Sequence, residues 1–313
     1  MLFLIAGAVL GLVLLTVAAD QLVVGSGRLA ARWGVSPVVV GVVVIGLGTS
    51  APEFVVSGLA AARGDAGLAL GNLVGSNIIN LTLILGVAGL AAPIAVHSSV
   101  PRREAPLTVG AVLLLAAFAL VGLGRAGGVV LGVAAAGAVL LLVRLSAARP
   151  ADPIAAEVEA LLDRAPAPSP ARESLRTVLG LVGTLAGAQL LVVTAAGAAA
   201  RLGVPAAVIG LTIVALGTSL PELVTAIQSQ RRHEGDLLVG NLLGSNLFNS
   251  LIGGAVVGLA ERGAPARLGP AILAAMVAVS LLAWLVLRRH HQVSRAEAGL
   301  LLTAYLVTLP LVL

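Results

Sequence analysis

The chain has 313 residues, 59% of them hydrophobic and 11% charged, and its mean hydropathy is +1.09. No soluble domain of this size has so little polar surface, so the sequence describes a polytopic membrane protein. The net charge of +5 comes from arginine alone and there is no cysteine, which excludes disulfides and thiolate metal sites. The arginines lie in short loops between apolar spans, so they speak for orientation in the membrane and against nucleic-acid binding.

Ten apolar segments follow one another, each near the ~20 residues a bilayer requires. They cover 2–22, 36–62, 68–91, 105–123, 127–145, 174–199, 205–229, 237–260, 268–287 and 296–313. Leu2 to Leu15 resembles a signal-peptide core, and Val17-Ala18-Ala19 a cleavage site. No basic residue precedes that run, however. Asp20 to Val24 and Gly34-Val35 also have counterparts in Gln189 to Val193 and Gly203-Val204. The first span is therefore expected to be retained. Between the fifth and sixth spans, residues 146–173 hold five prolines with acidic residues among them. This reads as a linker with a helical turn or two near Ile154–Leu162, too short for a regulatory domain. With the N-terminus outside, fourteen of the nineteen arginines fall in inside loops. Both termini are then outside and the linker cytoplasmic.

One short motif occurs twice. Gly46 to Glu53 reads Gly-Leu-Gly-Thr-Ser-Ala-Pro-Glu, and Ala215 to Glu222 reads Ala-Leu-Gly-Thr-Ser-Leu-Pro-Glu. Each is followed at the same distance by Gly-Asn-x-x-Gly-Ser-Asn-x-x-Asn, ending at Asn80 and Asn249. Five spans separate the copies, and an odd number gives them opposite orientation. The expected fold is all-α, with ten transmembrane helices in two inverted five-helix repeats. Residues 1–145 form the first repeat (motif 46–80) and 174–313 the second (motif 215–249).

The motif carries chemistry. Pro52 has no N–H, so it cannot bond the carbonyl of Gly48, and Pro221 acts likewise on Gly217. In hydrocarbon such carbonyls must meet a cavity or a ligand. Thr49, Ser50 and Glu53 share one helix face, as do Thr218, Ser219 and Glu222. Asn72, Ser76 and Asn80 form a second polar stripe, matched by Asn241, Ser245 and Asn249. Gly71 with Gly75, and Gly240 with Gly244, let these spans approach a neighbour closely. The donors are hard oxygens, suited to Ca²⁺ or Na⁺. Carboxylates at the midplane are costly and functional by default. One divalent cation neutralises Glu53 and Glu222 together; monovalent cations or protons compete for them.

The doubled motif resembles the two α-repeats of the calcium/cation antiporter superfamily, and within it the prokaryotic sodium/calcium exchangers. The resemblance implies four cation sites between spans 2, 3, 7 and 8. Glu53 and Glu222 would be the main Ca²⁺ ligands, completed by the carbonyls of Thr49 and Thr218. Ser50, Ser219, Ser76 and Ser245 would bind Na⁺ with the carbonyls of Gly46 and Ala215, while Asn80 and Asn249 would line the centre. Spans 1 and 6 would slide across the bundle to switch access. Some relatives carry Asp where this chain has Asn249, and its amide argues against K⁺ co-transport. The short linker departs from the large regulatory loop of animal exchangers.

The expected function is therefore a Ca²⁺/Na⁺ antiporter in a prokaryotic plasma membrane. It would be no enzyme, would take no cofactor, and would show no nucleic-acid or protein partner. A proton-coupled exchanger shares most of these residues, and a cation channel or a scaffold without transport are alternatives of other classes. Asp20 and Gln189 read as interfacial polar groups near an entrance. Asn77 and Asn246 read as bonds between helices, and His290-His291 as a basic flank without a third zinc ligand.

Overall fold

The computed structural model describes residues 2–33, 43, 45–147, 153, 155–158, 169–290 and 292–311. The beginning of the second expected span, most of the linker, His291 and Val312-Leu313 lie outside the described residues.

The architecture is all-helical. Helix α1 is Leu2–Arg32, α2 Gly46–Thr49 and α3 Ala51–Ala62. Helix α4 is Ala66–Ala91, α5 Val100–Val121, α6 Arg125–Ala147 and α7 Pro170–Leu202. Helix α8 is Ala206–Thr218, α9 Leu220–Arg231 and α10 Gly235–Ala260. Helices α11, Pro270–His290, and α12, Arg295–Thr308, complete the chain. Two-residue strands, β1 Ile94–Ala95 and β2 Gln292–Val293, pair antiparallel between loops.

Seven described helices are long and apolar enough to cross a membrane, and α8 with α9, bent by 42°, makes an eighth. The other two expected spans are compatible with α3, whose approach lies outside the described residues, and with the 14-residue α12. The first span runs ten residues past its expected end, because its polar residues are satisfied by α7. Arg28 pairs with Glu173 at 3.1 Å, and Arg176 Nε donates to Gln21 Oε1 at 2.7 Å. The backbones of α1 and α7 touch in antiparallel register. A Cβ on Gly180 would stand 2.6 Å from Leu22 N, and one on Gly187 2.7 Å from Leu15 N.

The core sits around α4 and α10. The most apolar stretch of each is 83% buried, against 18% for α1 and 28% for α6. Close approach of small residues, which drives helix association in lipid, is clearest where α4 meets α8. A Cβ on Gly71 would lie 2.6 Å from Ala207 O, and one on Gly75 2.6 Å from Leu211 O. The linker turn at residues 155–158 docks on the start of α10, with Val158 buried. Glu157 Oε2 accepts from Leu237 N at 2.6 Å, capping that helix from outside it. Next to it Asp236 accepts from the backbone N–H groups of His97 and Ser98 at 2.9 and 2.8 Å.

Candidate functional site

Both copies of the motif break their span at the serine. Ser50 stands between α2 and α3 at φ −84°, ψ 0°, and Ser219 between α8 and α9 at φ −83°, ψ 9°. Pro52 and Pro221 fall in the first turn after each break, where a missing N–H is harmless. The carbonyls of Gly48 and Gly217 are not left bare as expected. Backbone N–H groups at each cap bond them. A π-helical turn begins at each terminal asparagine of the stripe, Asn80–Ile84 and Asn249–Gly253, and a third, Gly210–Val214, leads into the second motif. Such turns recur at functional sites because they re-aim side chains.

The copies interlock by exchange. Ser219 Oγ donates to Glu53 Oε1 at 3.1 Å, and Ser50 Oγ to Glu222 Oε1 at 3.4 Å. Thr218 Oγ1 donates to Asn72 Oδ1 at 3.0 Å, and Thr49 Oγ1 to Asn241 Oδ1 at 3.1 Å. Thr49 also meets Ser245 Oγ at 3.1 Å, and Thr218 meets Ser76 Oγ at 3.5 Å. Contacts in which each half lends the other the same group are those of two-fold symmetry. The threonine hydroxyls additionally reach the carbonyls of Gly46 and Ala215, at 3.3 and 3.2 Å. Asn80 Nδ2 donates to Asn246 Oδ1 at 3.0 Å. All twelve residues expected from the sequence are buried, and ten of them take part in the contacts between Thr49, Thr218 and the crossed serines and glutamates. Asn80 and Asn249 each stand one helical turn beyond a serine of that set, Ser76 and Ser245.

The remaining valences are informative. Glu53 and Glu222 are 0% exposed, and Oε2 of each has no hydrogen-bond partner. The same holds for Oδ1 of Asn80 and for both side-chain atoms of Asn249. Arg28 and Arg176 pair with Glu173, and among the described residues no arginine answers either buried glutamate. Buried polar atoms are nearly always paired, and a buried carboxylate without a counter-charge is among the costliest groups a protein can hold. A hard cation fits this donor set. Among the described residues, no group of three His, Cys, Asp or Glu converges, so hydroxyl, amide and carbonyl oxygens must supply the rest.

The sequence marks Asn72 and Asn241 only as members of a polar stripe. The structure makes them the acceptors that fix the two threonines. Asn77 and Asn246 do bond between helices, Asn77 Nδ2 to Ser250 Oγ at 2.9 Å and Asn246 Nδ2 to Asn77 O at 2.7 Å.

A bundle of membrane-crossing helices, interrupted where a doubled motif gathers buried carboxylates, is the plan of a secondary transporter. The chain belongs to the sodium/calcium exchanger protein family, which it matches over residues 3–144 and 175–313. It is 42% identical over 238 residues to CaxA of Alkalimonas amylolytica, covering 74% of this chain and 72% of that one. It is 36% identical over 239 residues to the inner membrane protein YrbG of Escherichia coli K12, covering 74% and 72%. Among solved structures it resembles the sodium-calcium exchanger NCX_Mj soaked with 100 mM Na⁺ and 10 mM Sr²⁺, with a TM-score of 0.71, 30% identity and 99% of each chain covered. The protein is accordingly a multi-pass membrane antiporter of cations, from a family of exchangers and not of enzymes.

Proposed function

We propose that the protein exchanges Ca²⁺ for Na⁺ by alternating access, with both ions bound between the two motif copies. One observation carries this reading: two fully buried carboxylates each keep an oxygen without a partner, and no arginine among the described residues neutralises them. Glu53 and Glu222 are the principal Ca²⁺ ligands, with the carbonyls of Thr49 and Thr218. One Ca²⁺ cancels two carboxylate charges, which is why a divalent ion suits a pair. Ser50, Ser219, Ser76 and Ser245, with the carbonyls of Gly46 and Ala215, offer neutral oxygens to Na⁺, and Asn80 and Asn249 line the centre. The similarity to NCX_Mj, a sodium-calcium exchanger by its description, supports Na⁺ as the coupling ion. Residues 1–145 and 174–313 act as inverted halves joined by the linker 146–173, which the arginine distribution assigns to the cytoplasm of a prokaryotic cell.

The test is Ca²⁺ uptake into proteoliposomes under an outward Na⁺ gradient or an outward proton gradient at equal ionic strength. Uptake with Na⁺ alone is expected. Uptake driven only by protons would overturn the Na⁺ assignment. Glu53→Gln is expected to abolish uptake while the protein still folds, and sustained exchange in that variant would overturn the ligand assignment.

A further inference from the structure

A cavity of about 290 Å³ reaches the site from one side. Its lining includes Thr49 and Pro221, at the two helix breaks, together with Thr16 and Asp20 of α1 and Thr225 and Gln228 of α9. Both helices carry the lining toward their arginine-bearing ends, Arg32 of α1 and Arg231 of α9. Among the described residues of that lining, Asp20 alone is charged. The carboxylate is held in place: Gln21 Nε2 donates to Asp20 Oδ2 at 3.0 Å, and Gln21 is itself held by Arg176. The nearby arginines are engaged elsewhere, since Glu173 lies 3.1 Å from Arg28 and 3.9 Å from Arg176.

The repeat makes this lining unusual. Thr16, Asp20, Thr225 and Gln228 correspond in the other copy to Leu185, Gln189, Val56 and Leu59. Four polar positions on one side match three apolar ones and an uncharged amide on the other. The site itself is symmetric, whereas these approaches to it are not.

We propose that this cavity is the cation's route to the site from the face bearing Arg32 and Arg231, that Asp20 draws cations into it, and that the opposite route, with Gln189 at the corresponding position, has no such attraction. The proposal rests on the cation-site reading above. Asp20 is exposed on the cavity wall, and an uncompensated carboxylate on the wall of a cleft raises the local concentration of counter-ions. That advantage shrinks as salt shortens the screening length from about 30 Å at 0.01 M to about 8 Å at 0.15 M. The two faces should therefore differ in how Ca²⁺ capture depends on ionic strength.

The experiment uses the full-length protein in proteoliposomes of fixed sidedness, with choline chloride setting the ionic strength. In the wild type, the KM for Ca²⁺ at the Asp20 face rises with salt and that at the other face stays flat. Asp20→Asn raises KM at its own face by about tenfold at low salt, leaves kcat unchanged and flattens the salt dependence. Gln189→Asp confers salt dependence on the other face. The water path is read separately. The chain contains no cysteine, so Thr225→Cys provides a single thiol for a membrane-impermeant cationic methanethiosulfonate. Modification detected by mass from that face only, and slowed by Ca²⁺, is the expected result. A Thr225→Cys thiol that stays unmodified from that face overturns the route. A wild-type KM with equal salt dependence at both faces, or an Asp20→Asn variant matching it, overturns the role of Asp20. Loss of all Ca²⁺ transport in the wild type would count against the proposed function, while thiol modification would still decide the route.

Discussion

Replacing Gly75 by alanine adds one methyl group where α4 lies against the backbone of α8. The new Cβ would stand 2.6 Å from Leu211 O, 2.7 Å from Ala215 Cβ and 2.9 Å from Leu211 Cα. Ordinary contact begins near 3.4 Å, and two of the three obstacles are backbone, so α4 and α8 must part. Overpacking of this kind costs about 1–3 kcal/mol, partly offset by the ~1 kcal/mol gain in helix propensity. The internal reference is Gly137→Ala on α6, where nothing lies within 4 Å of the added carbon. That variant keeps the propensity gain without the clash. The two should differ by about 1–3 kcal/mol, with Gly75→Ala the less stable. Thermal unfolding in detergent micelles measures this, at a few degrees per kcal/mol for a chain of this size. The displaced α8 carries Ala215, so Ca²⁺ should protect Gly75→Ala less against heat than it protects Gly137→Ala. Equal melting temperatures and equal Ca²⁺ protection would refute the argument that backbone contact at Gly75 sets the site.

Two further outcomes follow from the same geometry. Burial, with the charge of Asp236 beside it, pushes the Glu157 carboxyl up to about 7, against the pull of its bond from Leu237 N–H. The docked linker therefore binds a proton more tightly than the free linker. Docking is strongest below the ordinary carboxylate value of 4.5 and weakens as pH rises to about 7. Hydrogen exchange of residues 155–158, compared with Glu157→Gln at each pH, should show the wild-type turn losing protection between pH 5 and pH 8, and a matching loss in the variant would contradict this. Ser219→Ala removes a neutral oxygen proposed for Na⁺ and a donor to Glu53. The Na⁺ concentration for half-maximal exchange should rise about tenfold, a change of 1.4 kcal/mol, with a smaller shift for Ca²⁺; parallel losses for both ions would sink the division of labour.

Much of this was legible in the chain because the motif is written twice. The residues shared at a constant spacing, from Leu47 to Asn80 and from Leu216 to Asn249, pointed to the prolines that disturb each span, to the glutamates and to the glycines that let a span approach a neighbour. That the breaks fall at Ser50 and Ser219 and that the neighbour of α4 is α8 came from the structure. The prolines indicated where the spans would break but not how the turns would repair themselves, since the cap N–H groups that bond Gly48 and Gly217 depend on the exact geometry at Ser50 and Ser219. The length of α1 was hidden because Gln21 and Arg28 look like the end of an apolar span until Arg176 and Glu173 are placed opposite them. The side cavity was hidden for a different reason. Thr225 and Gln228 differ from their counterparts Val56 and Leu59, and a reading that seeks agreement between copies passes over the places where they diverge. The capping role of Glu157 joins positions far apart in the chain, and no local pattern announces it.

The crossed bonds of Ser219 to Glu53 and of Ser50 to Glu222 bear on how such a chain could have arisen. A polypeptide ending at the linker would carry one such serine and one such glutamate, each placed to bond its counterpart in another copy and not in its own. It would be finished only by meeting a second copy of itself, and fusing two such copies would make that meeting permanent. Once fused, each copy was free to drift wherever its twin did not depend on it. The centre, where the serines, threonines and glutamates bond across the halves, would be the last place to change.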